Sequence, residues 1–152
     1  MTPDTIDRIT AQDAHALAVI DGDRHISRAR LRRELACMTA ALQDLGVSAG
    51  TRVAVACEHA YVHWLVLLAC ERLGAVSDAV LDPRVEDWTR LHARADLFLA
   101  TFRPPAMRCH HHLIDQAWLD HLPVAAWVAA EGRLTPLTSR AHRLAGPGGV
   151  RD

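Results

Sequence analysis

The chain contains no lysine, and all 17 of its basic side chains are arginines. This chain by itself therefore cannot use a mechanism that needs a lysine ammonium group or a lysine Schiff base. The net charge of -1 leaves no basic excess, so we expect no nucleic-acid partner. Aromatic residues make up only 5%, and we expect the four tryptophans in the core or at a lobe interface.

Long apolar runs are also missing. No uninterrupted apolar stretch reaches the roughly 18 residues that a membrane span requires, and residues 1–13 lack the basic-then-apolar pattern of a signal peptide. We therefore expect no membrane partner and a cytoplasmic location. None of the four cysteines has C-x-x-C spacing, which favours buried free thiols over disulfides.

The length of 152 residues and a hydrophobic content of 50% suit one domain with a substantial core. We expect a single α/β domain over residues 1–134. From residue 135 onward the composition shifts to Pro, Thr, Ser, Arg and Gly, which predicts a flexible tail over residues 135–152.

The stretch from His25 to Asp82 organises the chain. Before it, the pattern predicts a short helix over Ala11–Leu17 and a hairpin of Ala18–Ile20 and Arg24–Ile26 around an Asp-Gly turn. Ser27 is a good N-cap for a helix that should end at Leu45 or Gly46. Its apolar positions, at steps of four and three, are Leu31, Leu35, Met38, Leu42 and Leu45. Its charged positions should form a solvated face: Arg28, Arg30, Arg32, Arg33, Glu34 and Asp44.

A strand–helix–strand unit follows. The apolar run Arg52–Cys57 predicts a central parallel strand, His59–Leu73 an enclosed helix, and Ala75–Val80 a second buried strand reached by a right-handed crossover. Further elements are predicted in the order helix Pro83–Ala95, strand Asp96–Thr101, helix Leu113–Leu122 and strand Val124–Val128. The fold class is therefore α/β, an open, mostly parallel sheet with helices on both faces in three layers, plus a small N-terminal hairpin.

The order of these residues resembles the N-terminal lobe of the adenylate-forming superfamily, which includes acyl-CoA synthetases, nonribosomal peptide adenylation domains and luciferases. The resemblance covers about half of the chain. The residues that carry it are Ile26-Ser27 with Leu31, Ala41-Leu42 with Leu45-Gly46-Val47, Gly50-Thr51-Arg52-Val53, Ala69 with Gly74-Ala75-Val76, Asp82-Pro83-Arg84, and Ala95-Asp96-Leu97-Phe98-Leu99.

The resemblance also says what this chain does not contain. The family binds ATP with Mg and activates a carboxylate through a phosphate loop ending in lysine and a lysine of a C-terminal lobe, and neither maps onto this sequence. The resemblance thus implies a truncated or stand-alone lobe without adenylation activity by itself and with no cofactor of its own. Its expected partners are a missing lobe or a second copy in a homo-oligomer such as a dimer, with a carrier protein or a small acid as further partners.

Two alternatives stay open beside that interpretation. The lobe could have become a binding or interaction module of a biosynthetic pathway, or a small enzyme with other chemistry in the cleft at the strand ends. Glu58 and His59 are the candidate pocket residues, because open α/β sheets bind ligands just beyond the carboxyl ends of their strands. His59 and His63 also have the His-x-x-x-His spacing that can share a metal, although the glutamate of a zinc protease motif is missing. The alternative without a metal is that His59 starts the helix and His63 is a partly buried histidine.

A second cluster lies further along the chain. It is a weaker candidate for a metal site, because consecutive residues point in different directions. Its members are Cys109, His110, His111 and His112, with Asp115 and His121 nearby. The same residues can be written as a cysteine nucleophile with a histidine base. The alternative without chemistry is a solvated polar loop before the helix at Leu113.

Overall fold

The structure, a computed structural model, describes residues 1–80, 90, 94–102 and 109–121. In chain order the elements are α1 (Pro3–Gln12), β1 (Leu17–Asp21), β2 (Arg24–Ser27), α2 (Arg28–Asp44), β3 (Arg52–Ala56), α3 (Ala60–Arg72), β4 (Val76–Ala79), β5 (Leu97–Ala100), β6 (His110–Leu113) and α4 (Gln116–His121).

The first helix starts earlier than the sequence pattern predicted. Thr2 caps α1 by accepting a hydrogen bond from the Thr5 amide at 3.2 Å, and Pro3 occupies the first turn, where a missing N–H costs nothing. Asp13 ends the helix, because its carboxylate accepts hydrogen bonds from the amides of His15 and Ala16 at 3.0 and 3.1 Å. The helix predicted over Ala11–Leu17 is therefore wrong.

The hairpin and α2 follow the prediction. Strands β1 and β2 pair antiparallel, with Gly22 at a φ of 60° in the turn. The Ser27 hydroxyl caps α2 by accepting from the Arg30 amide at 3.3 Å, and the helix ends at Asp44 with Leu45 as its C-cap. Gly46 then takes a φ of 86°, the left-handed conformation that terminates many helices.

The larger sheet has the strand order β4-β3-β5-β6, and all of its described pairs are parallel. The prediction that β3 and β4 run side by side in the same direction is confirmed, as is the interior position of β3. The structure thus has the predicted α/β class: a parallel sheet flanked by helices, with a separate N-terminal hairpin.

Successive residues of each strand alternate between the two faces of this sheet. One face, here called the helical face, carries Val53, Val55, Leu97 and Leu99, which share one buried cluster with residues of α1, α2, α3 and α4. The opposite face carries Ala54, Ala56, Phe98 and Ala100, which form a second cluster with Val80. The predicted helix Pro83–Ala95 lies mostly outside the described residues, where only Arg90, Arg94 and Ala95 belong to it.

Two further elements correct the prediction. Strand β4 is not buried, because all four of its residues are exposed at the edge of the sheet. Residues 109–112 are not a loop: His110–Leu113 is a parallel strand bonded to β5, which leaves only Gln116–His121 as helix. Three consecutive polar histidines hid this strand, since hydrophobic alternation is the main strand signal in a sequence.

The predicted strand Val124–Val128 and the predicted tail over residues 135–152 lie outside the described residues. Among the helices that the structure does describe, none combines the length and the hydropathy that crossing a bilayer requires.

Candidate functional site

The candidate pocket lies where β3 and β5 end, at the carboxyl edge of the sheet. Glu58 is exposed there. Its amide donates a hydrogen bond to the Thr101 hydroxyl at 3.4 Å, and Thr101 itself is fully buried. This hydrogen bond from the main chain of Glu58 to the side chain of Thr101 connects the two strand ends. Because the Glu58 side chain stays exposed, Glu58 stays a candidate for contact with a ligand.

His59 has a structural task in the same place. It is the N-cap of α3, and its Nδ1 accepts a hydrogen bond from the Val62 amide at 3.4 Å. Its Nε2 lies 3.3 Å from the guanidinium of Arg24, which also pairs with Asp21 on the hairpin. The ring therefore connects the hairpin to the start of α3, and both of its nitrogens have protein contacts.

The neighbouring thiol is not set up as a nucleophile. Burial raises the pKa of Cys57 to about 12, so its thiol stays protonated at neutral pH. The thiol donates a weak hydrogen bond to the His59 carbonyl at 3.5 Å. The Nδ1 of His63 lies 3.2 Å from the Cys57 carbonyl oxygen. His59 and His63 thus make separate contacts with the protein and are not presented together to a metal.

The strand β6 separates the histidines that the sequence placed together. Because strands alternate, His110 and His112 lie on the helical face and His111 on the opposite face. His112 packs edge-on against Trp118, with ring centroids 5.0 Å apart, and burial lowers its pKa, which favours the neutral ring. Burial also raises the pKa of the Cys109 thiol.

Asp115 has a local role as well. Its carboxylate accepts a hydrogen bond from the Trp118 amide at 2.8 Å at the start of α4. Within residues 1–80, 90, 94–102 and 109–121, the structure brings no group of three or more His, Cys, Asp or Glu side chains into a position to hold a metal.

A buried polar network was missed by the sequence reasoning. Glu34, predicted on a solvated face, is only 2% exposed. It accepts hydrogen bonds from the hydroxyl of Tyr61 on α3 and from Arg30 Nε, the latter at 3.0 Å. Burial raises the pKa of Glu34, while these two donors oppose the shift.

The spacing contained the signal for this network. Glu34 lies three residues after Leu31 and four before Met38, which places it on the buried face of α2. Tyr61 is the only tyrosine of the chain, and burial raises the pKa of its hydroxyl, so it remains a donor. A buried carboxylate needs such donors, because an unpaired one costs several kcal/mol to desolvate.

The described residues do not fit the ATP and Mg of the family that the sequence resembles. A phosphate loop presents consecutive main-chain N–H groups from a glycine-rich turn, with a lysine beside them. Here the described glycines with positive φ stand one by one, in the hairpin turn and at helix or strand boundaries: Gly22, Gly46, Gly50 and Gly74. With no lysine in the chain, this part of it supplies no such cradle.

A scan against protein-family models gives no match, and a search of the curated proteins gives none either. The hairpin, the capped α2 and the parallel order β4-β3-β5-β6 nevertheless define a class. This chain has the fold of the N-terminal lobe of adenylate-forming enzymes.

The assignment of this fold is based on similarity to solved structures. The N-terminal subdomain of NpsA from Klebsiella oxytoca, in complex with 3-hydroxybenzoyl-AMSN, is 22% identical with a TM-score of 0.68 over 80% of this chain and 34% of that chain. In space group C2 the same subdomain matches with a TM-score of 0.69 and 21% identity, over 89% of this chain and 35% of that chain. The anthranilate CoA ligase AuaEII, in complex with anthranoyl-AMP, matches with a TM-score of 0.55 and 21% identity, over 64% of this chain and 20% of that chain.

This chain thus spans 34% of the length of the NpsA subdomain that it matches. At these identities the likeness establishes the fold, and the resemblance inferred from the sequence is confirmed at that level.

Proposed function

We propose that this chain is the N-terminal lobe of an enzyme that uses ATP to activate a carboxylic acid as an acyl- or aryl-adenylate, and that the lobe does not adenylate by itself. The observation that carries the proposal is the fold match to the N-terminal subdomain of NpsA over 80% of this chain.

The chemistry of the strand ends supports a scaffolding role for this lobe. His59 is engaged in a helix cap, the thiol of Cys57 is held protonated by burial, and the chain has no lysine to stabilise a phosphate. Glu58, among the described residues at this edge, presents an exposed carboxylate. The lobe therefore needs nucleotide-binding residues from a further part of the enzyme.

A small aromatic acid is the proposed substrate class of the enzyme to which the lobe belongs. The support comes from the ligands of the solved structures that share its fold. NpsA is seen with anthranilyl-AMSN, and AuaEII with anthranoyl-AMP, both of which carry an aromatic acyl group.

Acid-dependent exchange of pyrophosphate into ATP tests the proposal, with anthranilate and 3-hydroxybenzoate as acids. The chain alone should give no acid-dependent exchange, and intact NpsA is the positive control. In a second arm this chain replaces the matched segment of NpsA, and exchange above that of NpsA lacking the segment supports the proposal. Exchange by the chain alone would contradict the inactive lobe, and a folded chimera without exchange would argue against the ligase assignment.

An interaction module of a biosynthetic pathway is the second candidate, and the exposed β4 edge favours it. NpsA has been joined to a peptidyl carrier protein in the artificial NpsA–ThdA fusion. A stable complex of this chain with a carrier protein, measured by calorimetry and without any exchange activity in the chimera, would favour this second function over the first.

A further inference from the structure

Strand β4 is an unprotected edge. All four of its residues are exposed, and Val76 is 59% exposed although it is a large hydrophobic side chain. Edge strands in soluble proteins are usually blunted by charged side chains, proline or a bulge. Here the register with β3 runs without a break from Arg52–Val76 to Val55–Ala79, and β4 contains neither lysine nor proline. Its single charged residue is Asp78.

The outward-facing main-chain groups of β4 can be assigned. The amides of Val76 and Val80 donate to the carbonyls of Thr51 and Val55 at 2.8 Å, so these alternate residues face β3. Because the backbone of a strand has a period of two, the N–H and C=O groups of Ser77 and Ala79 point away from β3. Within the described part of the chain, no strand lies on that side.

We propose that the outer edge of β4 pairs antiparallel with β4 of a second copy of this chain, joining two four-stranded sheets into one. The pair is centred on Ser77, which exchanges both main-chain hydrogen bonds with Ser77 of the second copy. The Ala79 amide then donates to the carbonyl of Ala75 of the second copy. The Ala75 amide is already used, since it donates to the Cys70 carbonyl at 2.9 Å.

The charges select this register. If the pair were centred on Asp78, the two Asp78 carboxylates would face each other directly, which is destabilising. With Ser77 at the centre, Asp78 of one copy lies opposite Val76 of the other, and Val76 is in register with Arg52 on β3. Arg52 and Asp78 of the second copy then lie on the same face, two strands or about 10 Å apart.

An arginine and an aspartate side chain that extend toward each other can span this separation of two strands and form an ion pair. Arg52 is exposed and forms no ion pair within the described residues, whereas Asp78 makes only a 3.5 Å contact with Arg94, with both side chains about half exposed. Twofold symmetry repeats the Arg52–Asp78 contact on the other side of the axis, so each copy contributes one arginine and one aspartate.

The helical face beside the edge carries a groove with a mixed lining, in which the exposed Glu71 lies near apolar side chains. An open groove of about 410 Å³ lies between α3 and β4, and it is lined by Trp64, Leu67, Ala75 and Ser77 among others. Trp64 and Leu67 are only half-buried, so part of their apolar surface faces this groove. The twofold axis of an antiparallel strand pair is perpendicular to the sheet, so it places α3 of the second copy on the same face, and the two grooves adjoin.

Sedimentation velocity over a concentration series of the full chain tests the proposal, with Ser77→Pro and Ser77→Ala as the matched variants. Proline removes the outward N–H without breaking a bond to β3, and such edge positions tolerate it. The wild type and Ser77→Ala should be dimers and Ser77→Pro a folded monomer. A monomeric wild type, or a Ser77→Pro variant that dimerises like the wild type, would overturn the proposal.

Charge exchange gives a second test that does not depend on proline. Asp78→Arg and Arg52→Asp should each weaken the dimer by about tenfold, since each leaves like charges opposed across the interface. An equimolar mixture should form heterodimers, because every Arg52–Asp78 contact between the two chains then regains opposite charges. Two variants that bind each other no better than themselves would overturn the register and the proposal.

Hydrogen exchange distinguishes a second copy from another occupant of the edge. The amides of Ser77 and Ala79 should be protected in the dimer and lose protection on dilution. Protection that persists in a monomer would mean that a segment of the same chain covers β4, which would overturn the proposal. None of these measurements depends on adenylation activity, so they can fail or succeed independently of the proposed function.

Discussion

At the scale of single residues, protein contacts account for the positions of two titratable side chains, His59 and Glu34. His59 is both a candidate pocket residue and the cap of α3, and its contacts with Val62 and Arg24 account for its placement without a ligand. Glu34 is buried with Tyr61 and Arg30. The contacts of His59 fix the start of α3, whereas the contacts of Glu34 join α2 to α3 through Tyr61.

Replacing His59 separates its capping role from a role in binding. His59→Ala should lower the free energy of unfolding by about 0.5–2 kcal/mol, and His59→Asn should restore most of it, because asparagine is a strong N-cap. Urea unfolding measures both. If His59→Ala is as stable as the wild type, the capping account of His59 is wrong.

The Glu34 network predicts a specific dependence on pH. Because the pKa of Glu34 is raised in the folded state, the folded chain binds more protons than the unfolded one between the ordinary and the raised pKa. Stability should therefore fall as the pH rises through that window, and the loss should be absent in Glu34→Gln. The test is to measure the free energy of unfolding of the wild type and of Glu34→Gln by urea unfolding over a range of pH, and to plot the difference between them against pH.

Tyr61→Phe supplies the control for this network. It leaves the buried Glu34 carboxylate without one donor and should cost about 1–3 kcal/mol, more than it costs in the Glu34→Gln background. Equal costs in the two backgrounds, or a pH dependence that is the same with and without Glu34, would count against the network.

At the scale of elements, the sequence predicted what has a local physical cause. The limits of α2 and α3 followed from Ser27, His59 and the glycines after them, and β3 followed from its continuous apolar run. The exposure of β4 could not be predicted from its composition, since it depends on which strand lies at the edge of the sheet. The strand β6 was missed because its pairing with β5 is a long-range contact that three histidines do not signal.

The N-terminal helix α1 is part of the core. Ile6 is fully buried in the helical cluster, and Asp7 pairs with Arg32 and Arg72 at 3.1 and 2.7 Å. Since Arg32 lies on α2 and Arg72 on α3, the single carboxylate of Asp7 joins three helices.

Ile6→Ala should therefore destabilise the chain by about 2–5 kcal/mol, the usual cost of a large-to-small change in a packed core. The matched control is Ile20→Ala, since Ile20 is 60% exposed on the hairpin and its truncation should cost well under 1 kcal/mol. Thermal or urea unfolding of both variants measures the contrast. Similar costs at the two positions would mean that α1 is not docked as described.

At the scale of the whole molecule, the fold places the strand ends, the hairpin and α3 around one edge of a parallel sheet. The fold as a whole is that of the N-terminal lobe of adenylate-forming enzymes. The proposed function therefore depends on the direction and order of the strands more than on any single side chain.

Cross-strand nuclear Overhauser effects in the isotopically labelled chain test that arrangement most directly. The parallel order predicts contacts of Arg52 with Val76, of Val53 with both Ser77 and Leu97, and of Ala56 with Ala100. Contacts of Arg52 with Ala79, which an antiparallel β4 would produce, would contradict the fold and remove the basis for the proposed function.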